Sequence, residues 1–341
     1  MTEAISLVLP DVVLAEYLEA NVPGFRGPLT SSKFKGGQSN PTYLIDAASG
    51  KYVLRRKPPG QLLASAHAVD REFRVLSALH GTAVAVAQPL HLCRDDAIIG
   101  SMFYLMEFVP GRIFWDPSLS EIAVGERAAY YDAMLQTLAA LHSVDPDTVG
   151  LADYGKPGNY FSRQIGRWSE QYQASQTQSI ADMDRLLETL PARCPADDGV
   201  VALVHGDFRI DNLMFDPDQA RVIAVVDWEL STLGHPLADL GYLCMALRLP
   251  RNPALPGLGG LNRDALGLPD EASMLRRYSE LSGRAIPDDW PFVLAFSFFR
   301  LAAIAQGVAK RAQQGNASSE QAKQAGQMTA LLAQMGLQAL A

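Results

Sequence analysis

A short polar loop between two apolar runs is the feature that most constrains how this chain folds. The loop HGDFRIDN spans His205 to Asn212, after the apolar run Val200 to Val204, and a second run from Val222 to Val226 leads into Asp227. Burying acids, an amide and a histidine together costs desolvation free energy unless these groups face a cleft. The apolar runs predict buried strands, so the fold must open this loop onto a cleft that holds a charged ligand.

The length and the charge of the chain narrow the class of protein. A chain of 341 residues suits two lobes that each close a hydrophobic core. The formal net charge of -8, from 29 Lys and Arg against 37 Asp and Glu, argues against a nucleic-acid partner. The cysteines Cys93, Cys194 and Cys244 form no CxxC pair, which predicts a reducing, cytoplasmic setting without disulfides or a zinc site.

The most apolar segment, Pro291 to Ala309, approaches the length that spans a bilayer. Arg300 lies in its middle and Gln306 near its end, so we interpret the segment as a buried core helix rather than a membrane span. The first twenty residues carry four acids and no Lys or Arg, which is not the start of a secretion signal. We therefore expect no membrane partner.

The first third of the chain has the pattern of strands. A short opening helix, with Asp11 as its N-cap, is predicted to precede them. The other predicted elements are a hairpin around Ala48-Ser49-Gly50, a helix from His67 to Gly81, and strands from Gln88 to Arg94 and from Ser101 to Val109. Together with the segment KFKGG, these elements predict a small five-stranded piece.

After Pro110-Gly111 the pattern becomes helical. A long helical stretch is predicted from Glu121 to Val144, two helices from Tyr160 to Leu190, and helices from Glu271 to the C-terminus. The sequence therefore predicts an α+β fold, with an N-terminal lobe over residues 1–109 and a C-terminal lobe over residues 110–341.

The polar loop supplies a candidate site for phosphoryl transfer. If Leu213 to Phe215 and Arg221 to Val226 form a hairpin, Asp227 returns to lie beside Asp207 and Asn212. Oxygen ligands at one point suit Mg²⁺, which binds few carboxylates and keeps waters and substrate phosphates. The separation of Asp207 and Asn212 equals that of Asp and Asn in the kinase pattern H-R-D-x-x-x-x-N. Neither a Walker GxxxxGK[ST] nor a GxSxG motif occurs, which excludes those phosphate and esterase sites.

Here the chain resembles a known superfamily. HGD followed by Asn212, with Asp227 after a buried strand, is similar to the aminoglycoside phosphotransferase and choline kinase superfamily. The runs HGDFRIDNLMF and VVDWELSTLGHPLADLGY most resemble the phosphotransferase-like subfamily that is also found fused to acyl-CoA dehydrogenases. The resemblance extends from about Gly36 to the C-terminal helices. It implies a two-lobed, protein-kinase-like fold and transfer of the γ-phosphate of ATP to a hydroxyl of a small molecule; no residue suggests a flavin enzyme.

The resemblance also implies roles for residues in the C-terminal half. Asp207 would be the catalytic carboxylate that accepts or orients the acceptor hydroxyl, and His205 would support the same loop. Asn212 and Asp227 would be the Mg²⁺ ligands. On the residues alone, a structural histidine that bonds a backbone carbonyl is favoured over a chemical role for His205.

In the N-terminal half the resemblance implies a nucleotide site. KGGQSNPTYLI resembles a loop that covers phosphates, in which Gly36 and Gly37 let backbone N–H groups approach the oxygens. Glu72 matches the glutamate that pairs with a cation on a strand. The run MEFV resembles the hinge, whose backbone groups at Glu107 and Val109 would receive adenine.

One departure concerns the strand cation. Related kinases place lysine on the third strand, where this chain has Arg55, which shares a strand face with Val53. Arginine grips phosphate and carboxylate through a planar fork but is not interchangeable with lysine. A catalytically silent, nucleotide-binding protein is therefore an alternative to an active kinase.

Three further points stay open at the level of sequence. Asp239 would either cap the helix that begins near Leu240 or hold the catalytic loop from behind. Glu229 could touch metal, substrate or solvent, and His235 stands where relatives carry aspartate. The acceptor is either a hydroxyacyl compound or its CoA thioester, which the subfamily favours, or an amino sugar or choline-type cation.

Overall fold

The computed structural model describes residues 8–34, 40–58, 68–252, 256–313 and 328–341. The chain divides into two compact units. The first unit runs to Arg112 and includes the later segment Ile223–Glu229; the second consists of Ile113–Val222 and Leu230–Ala341. Each unit has its own core and its own set of candidate site residues.

A five-stranded antiparallel sheet forms the centre of the first unit. Its strands are β1 (Leu29–Lys33), β2 (Thr42–Ala47), β3 (Gly50–Arg56), β4 (Pro89–Cys93) and β5 (Phe103–Glu107). The spatial order is β1-β2-β3-β5-β4, and every neighbouring pair is antiparallel. Ala47 pairs with Gly50 across the two-residue turn Ala48-Ser49, which confirms the predicted hairpin.

Three helices accompany the sheet: α1 (Asp11–Asn21), α2 (Val69–Leu79) and α3 (Asp96–Ile99). The prediction that Asp11 caps α1 is wrong, because Pro10 holds the N-cap position and the Asp11 carboxylate leaves the helix. It accepts hydrogen bonds from the Ser31 N–H at 3.1 Å and the Ser31 hydroxyl at 2.5 Å, which join α1 to β1. Tertiary bonding to a strand has replaced local capping.

The helix α2 lies within the predicted range, whose first residue, His67, is outside the described residues. Its apolar face is buried through Val69, Val75, Leu76 and Leu79, and Glu72 is buried on the same helix. A buried carboxylate on an amphipathic helix requires bonding partners. Those partners come from the sheet.

The segment Ile223–Glu229 belongs to the first unit although it lies far along the chain. The Val225 N–H donates to the Ala85 carbonyl at 2.9 Å, and the Trp228 indole N–H donates to the Val225 carbonyl at 3.0 Å. Asp227 between them has a φ of 66°. This left-handed conformation is uncommon for a residue other than glycine and is tolerated best by Asp and Asn.

Helices form most of the second unit. They are α4 (Arg127–His142), α5 (Tyr160–Ser175), α6 (Ala181–Ala192), α7 (Leu237–Met245), α8 (Glu271–Ser282), α9 (Trp290–Gln313) and α10 (Thr329–Leu340). The long helix predicted from Glu121 begins only at Arg127, after a 3₁₀ turn over Val124–Glu126. Gly125 within that turn is a poor helix former, which accounts for the later start.

The helix α9 is the only described helix long and apolar enough to cross a membrane. However, 83% of its apolar window is buried inside the protein. It packs against α5, α7 and α10. These contacts are those of the core helix that the sequence predicted.

The remaining strands are short: β6 (Arg112–Ile113), β7 (Ala202–Val204), β8 (Leu213–Phe215), β9 (Val222–Val225) and β10 (Thr232–Gly234). β7 pairs with β10 in an antiparallel ribbon, with Val204 opposite Thr232. The turn between β8 and β9 is closed by the Asp216 N–H, which donates to the Arg221 carbonyl at 2.9 Å. The buried ribbon β7-β10 fixes the point at which the HGD loop leaves the core.

Candidate active site

The HGD loop begins directly after β7 and turns sharply at glycine. Gly206 has a φ of +83°, and a Cβ added there would lie 2.5 Å from the Leu230 carbonyl oxygen. An L residue with a side chain would therefore meet both an unfavourable backbone conformation and a backbone atom that cannot rotate away. Glycine at position 206 is a structural requirement of this loop.

Asp239 fixes the backbone of the loop from within α7. Its carboxylate accepts the N–H of His205 at 2.6 Å and the N–H of Gly206 at 2.8 Å. Burial works against the charged form, but hydrogen bonds from His142 and the His205 amide outweigh it and hold the pKa of Asp239 below its usual range. Because Pro236 holds the N-cap position of α7, Asp239 holds the loop and does not cap the helix.

Three groups position Asp207. The Asn212 amide Nδ2 donates to the Asp207 carbonyl at 2.8 Å and to Asp207 Oδ2 at 2.9 Å. The buried Tyr242 hydroxyl is hydrogen-bonded to the same carboxylate; burial, and then the charge of Asp207, raise the pKa of Tyr242. The Asp207 N–H donates to His205 Nδ1 at 3.1 Å, so the histidine contacts the loop backbone. A 3₁₀ turn over Ile210–Asn212 brings the amide back to the carboxylate.

Between these two residues lies an ion pair that the sequence analysis did not identify. The Arg209 guanidinium forks onto the Asp211 carboxylate, with Nη2 to Oδ2 at 2.6 Å. Burial works to lower the pKa of Arg209, but the charge of Asp211 outweighs it, and the pKa is raised. In the sequence, only the run Arg-Ile-Asp in a predicted turn, with opposite charges two residues apart, could have indicated this ion pair. The two opposite charges largely cancel at this point of the HGD loop.

In the first unit, Arg55 connects three acidic side chains. Its Nε lies 2.8 Å from Glu72 Oε2, its Nη2 2.6 Å from Asp227 Oδ1, and the same nitrogen 3.8 Å from Glu229 Oε2. Burial works to lower the pKa of Arg55, but the charges of Glu72, Asp227 and Glu229 outweigh it and raise the pKa. The structure thus brings together the predicted residues 55, 72 and 227, and adds Glu229.

Glu72 is the most deeply buried member of this cluster, with 2% exposure. Its carboxylate accepts the Asn40 amide N–H at 2.6 Å and the Tyr104 hydroxyl at 3.1 Å. Burial raises the pKa of Glu72, and the charge of Arg55 partly offsets that rise. Neither Asn40 nor Tyr104 was singled out from sequence, because only the tertiary fold shows that they face α2.

The other predicted nucleotide residues lie at the end of β5 and before β2. The Glu107 N–H donates to the Gln88 carbonyl at 2.9 Å, and the Glu107 carboxylate accepts the Gln88 N–H at 2.9 Å. Val109 follows β5 and is half-buried. Gly36 and Gly37 lie outside the described residues.

The metal-ligand prediction rests on the donor types. The Asn212 Nδ2 donates to Asp207, so the oxygen of the amide is the atom of that side chain that could bind a metal. In the bonds described above, Asp227 contacts Arg55 through Oδ1. These oxygens fit a hard cation such as Mg²⁺. Within the described residues, no group of three or more His, Cys, Asp or Glu side chains is placed to hold a metal. An ion bound by either side chain would depend on water and substrate phosphates for its other ligands.

Two cavities lie in the second unit. A small one, about 40 Å³, borders the HGD loop at Arg209, Ile210 and Asp211. It is also lined by Tyr242 and by apolar side chains that include Met134 and Leu243. A larger one, about 520 Å³, lies at the first residues of α5 and α9 beside His235. His235 Nε2 is 3.2 Å from Asp198 Oδ2, and its Nδ1 accepts the Leu237 N–H at 3.3 Å, so this histidine braces the start of α7.

Cys93 and Cys244 are buried and Cys194 is half-buried, each as a free thiol. Arg248 forks onto Glu271 at 2.8 and 2.9 Å, and Arg251 pairs with Asp116 at 3.2 Å. Arg248 and Arg251 are therefore each paired with a carboxylate of the second unit, and an anionic ligand would have to compete with that carboxylate.

An antiparallel sheet that carries a buried cation–glutamate pair, and a helical unit that carries an HGD loop held by an aspartate, define a protein-kinase-like phosphotransferase fold. Residues 30–276 match the Phosphotransferase enzyme family, and the chain belongs to that family. Proteins with this fold include a spectinomycin phosphotransferase, solved with ADP and spectinomycin, at 14% identity and a TM-score of 0.63 over 95% of this chain and 98% of that one. The chain is accordingly a member of a phosphotransferase family with a protein-kinase-like fold.

Closer similarity is found to three other proteins. A Ralstonia eutropha JMP134 protein, assigned as an aminoglycoside phosphotransferase, has a crystal structure with 48% identity and a TM-score of 0.89, covering 97% of this chain and 98% of that one. Acyl-CoA dehydrogenase family member 10 of Mus musculus is 46% identical over 97% of this chain and 31% of that protein. Family member 11 of Rattus norvegicus is 44% identical over 95% of this chain and 42% of that protein. The chain thus spans less than half the length of these dehydrogenase-named relatives.

Proposed function

We propose that the protein transfers the γ-phosphate of ATP to a hydroxyl group of a small molecule, with Mg²⁺ bound to the nucleotide. The observation that carries this proposal is the way Asp207 is held. Its carboxylate is bonded to Asn212 and Tyr242, and its loop is fixed by Asp239. Phosphoryl transfer depends mainly on positioning and on charge stabilisation, and a carboxylate fixed in this way is suited to align an acceptor hydroxyl.

Asp207 is the catalytic residue of the proposal, and His205 acts on it. The ring of His205 accepts the N–H of Asp207, and we assign it to orienting the loop. Asp207 would accept the hydrogen bond of the acceptor hydroxyl and receive its proton as the bond to phosphorus forms.

The cluster around Arg55 supports nucleotide binding in the first unit. One guanidinium faces three carboxylates, those of Glu72, Asp227 and Glu229, so the cluster carries an excess of negative charge. Such an excess favours a divalent cation together with the nucleotide phosphates. We assign Arg55 to the phosphates and Glu72 to holding Arg55.

The remaining assignments follow the family resemblance. Gly36 and Gly37 would contribute backbone N–H groups to the phosphates, and backbone groups of Glu107 and Val109 would receive adenine. Because the Glu107 N–H already donates to Gln88, the carbonyl of Glu107 is the group proposed for adenine. Asn212 and Asp227 would supply oxygen ligands to Mg²⁺, which when bound neutralises charge on the phosphates.

The small cavity beside the catalytic loop supports an apolar acceptor. Its lining is largely apolar, and its charged members Arg209 and Asp211 neutralise each other. This apolar lining favours a hydroxyacyl compound or its CoA thioester, whose chain would extend past Met134 and Leu243, over a charged amino sugar. The acyl-CoA dehydrogenase names of the similar proteins support the same class.

The test measures Mg²⁺-dependent ATP consumption with a panel of acceptors. The panel holds hydroxyacyl-CoA thioesters of graded chain length, the corresponding free hydroxy acids, choline and two aminoglycosides. We expect turnover with the hydroxyacyl compounds that rises with Mg²⁺ and is lost in Asp207→Ala. Turnover that survives in Asp207→Ala contradicts the role assigned to this carboxylate.

A second candidate is a nucleotide-binding protein without turnover. Arg55 in place of the usual lysine is the observation that favours it. Tight, Mg²⁺-dependent ATP binding by calorimetry, with no consumption on any acceptor of the panel, would support this alternative over the active kinase.

A further inference from the structure

A buried guanidinium lies in the long apolar helix α9. Arg300, in the middle of α9, is 4% exposed. Its guanidinium carbon lies 5.2 Å from the centre of the Tyr242 ring and 5.6 Å from that of Trp168. Its Nη2 donates to the Gly206 carbonyl. Over the ranges that the structure describes, no carboxylate lies within ion-pair distance of Arg300, although a buried charge is costly unless something compensates it.

The compensating charge lies on the other side of Gly206. Asp239, which is 1% exposed, accepts the Gly206 N–H at 2.8 Å and the His205 N–H at 2.6 Å. The N–H of Gly206 therefore faces a buried anion, and its carbonyl faces a buried cation. Burial lowers the pKa of the adjacent His142, which favours its neutral form. Asp239 and Arg300 thus place opposite buried charges on the two sides of one residue of the HGD loop.

We propose that Arg300 is a positioning residue for Asp207, and that its charge is balanced by Asp239 through the peptide groups of Gly206. This inference rests on the proposed role of Asp207. Arg300 reaches Asp207 along two paths. The Gly206 carbonyl that it bonds belongs to the peptide unit whose nitrogen is that of Asp207, and the Tyr242 ring that it covers carries the hydroxyl bonded to the Asp207 carboxylate.

The alternative is that Arg300 contributes only to the packing of α9 against neighbouring elements. Gln306 on the same helix is a natural comparison, because it is 2% exposed and donates to the Ser175 carbonyl and the Thr177 hydroxyl, both away from the HGD loop. A residue that matters only for packing should behave like Gln306. A residue that positions Asp207 should alter the chemical step.

The first experiment compares Arg300→Gln, Arg300→Lys and the control Gln306→Met by ATP turnover and thermal unfolding. We expect Arg300→Gln to lower kcat by about tenfold or more without a matching change in the KM for ATP, since a small displacement of a reacting group lowers the rate strongly. Arg300→Lys should recover part of kcat, because an ammonium group still donates to the Gly206 carbonyl. Gln306→Met should lower the Tm and keep kcat. A kcat for Arg300→Gln equal to that of Gln306→Met overturns the positioning role.

The second experiment is a double-mutant cycle on the Tm of Asp239→Asn and Arg300→Gln. Each single change leaves one buried charge without its opposite, whereas the double change leaves none. We therefore expect the double variant to lose less Tm than the sum of the two single losses. Additive losses overturn the charge balance. If the wild-type protein consumes no ATP, the proposed function fails, and this cycle still decides whether the two charges are coupled.

Discussion

Replacing Gly206 by alanine is the most direct test of how the loop geometry holds Asp207. The backbone at position 206 has a φ of +83°, and an added Cβ would lie 2.5 Å from the Leu230 carbonyl oxygen. The left-handed conformation costs a side-chain-bearing residue about 1–2 kcal/mol, and forcing an extra carbon into a packed site costs about 1–3 kcal/mol more. Together we expect a loss of about 2–5 kcal/mol in the free energy of unfolding.

Gly283, at the end of α8, supplies a matched control. Its φ is +68°, but an added Cβ there would have no neighbour within 4 Å. Gly283→Ala should therefore show the conformational cost alone, about 1–2 kcal/mol. The difference between the two variants isolates the contact with Leu230.

Activity separates the two glycines further. To relieve the contact, the loop at Gly206 must move away from Leu230, and Asp207 moves with it. A displacement near 1 Å at a reacting group costs on the order of 100-fold in rate. We expect Gly206→Ala to lose about that factor in kcat, while Gly283→Ala keeps the wild-type value. Denaturant unfolding and initial-rate ATP assays measure the two effects, and equal losses in both variants would refute the reasoning.

Three further changes are expected to act on charged groups. Asp207→Asn should keep the fold, because the amide can still bond its neighbours, but lose nearly all transfer to the acceptor in rate assays; an unchanged rate would exclude Asp207 as the hydroxyl-orienting group. Arg55→Lys should weaken ATP binding, measured by calorimetry, because one ammonium cannot make the separate contacts to Glu72 and Asp227. The depressed pKa of Asp239 contributes stability that is present above its unfolded pKa and lost as the pH falls through the folded value. In a plot of the free energy of unfolding against pH, Asp239→Asn should therefore reduce the fall in stability at acid pH. An unchanged fall would show that other carboxylates cause the loss of stability.

The local patterns in the sequence were sufficient for most of the elements and for the HGD loop. Four strands of the sheet, the hairpin at Ala48-Ser49 and the buried helix α9 follow from alternation, turn residues and apolar length. The predicted strand KFKGG shares only Lys33 with β1, and its last three residues lie outside the described residues. The contact between Asp207 and Asn212 follows from their spacing in one turn, since a single 3₁₀ turn returns the amide to the carboxylate. Such features depend on neighbours along the chain.

Features that depend on distant partners were not predictable in the same way. Asp11 was predicted to cap its own helix, but the side chain bonds Ser31 on β1, and no local rule distinguishes these outcomes. Arg300 was interpreted only as a sign against a membrane span. Its role as donor to Gly206 spans 94 positions along the chain and is visible only in the folded unit.

The contacts of Arg55 explain what an arginine does at this position of β3. Its Nε and Nη2 contact carboxylates on two separate segments, Glu72 on α2 and Asp227 after β9. Asp227 is held in a left-handed backbone conformation, which directs its carboxylate and costs free energy that a bond must offset. A planar guanidinium can hydrogen-bond Asp227 through Nη2 while it stays in ion-pair contact with Glu72, whereas an ammonium group on a flexible stem meets both acids as a point charge. The arginine therefore preserves the link between helix and acid, and the turnover assay decides between an active kinase and the silent alternative that Arg55 raises.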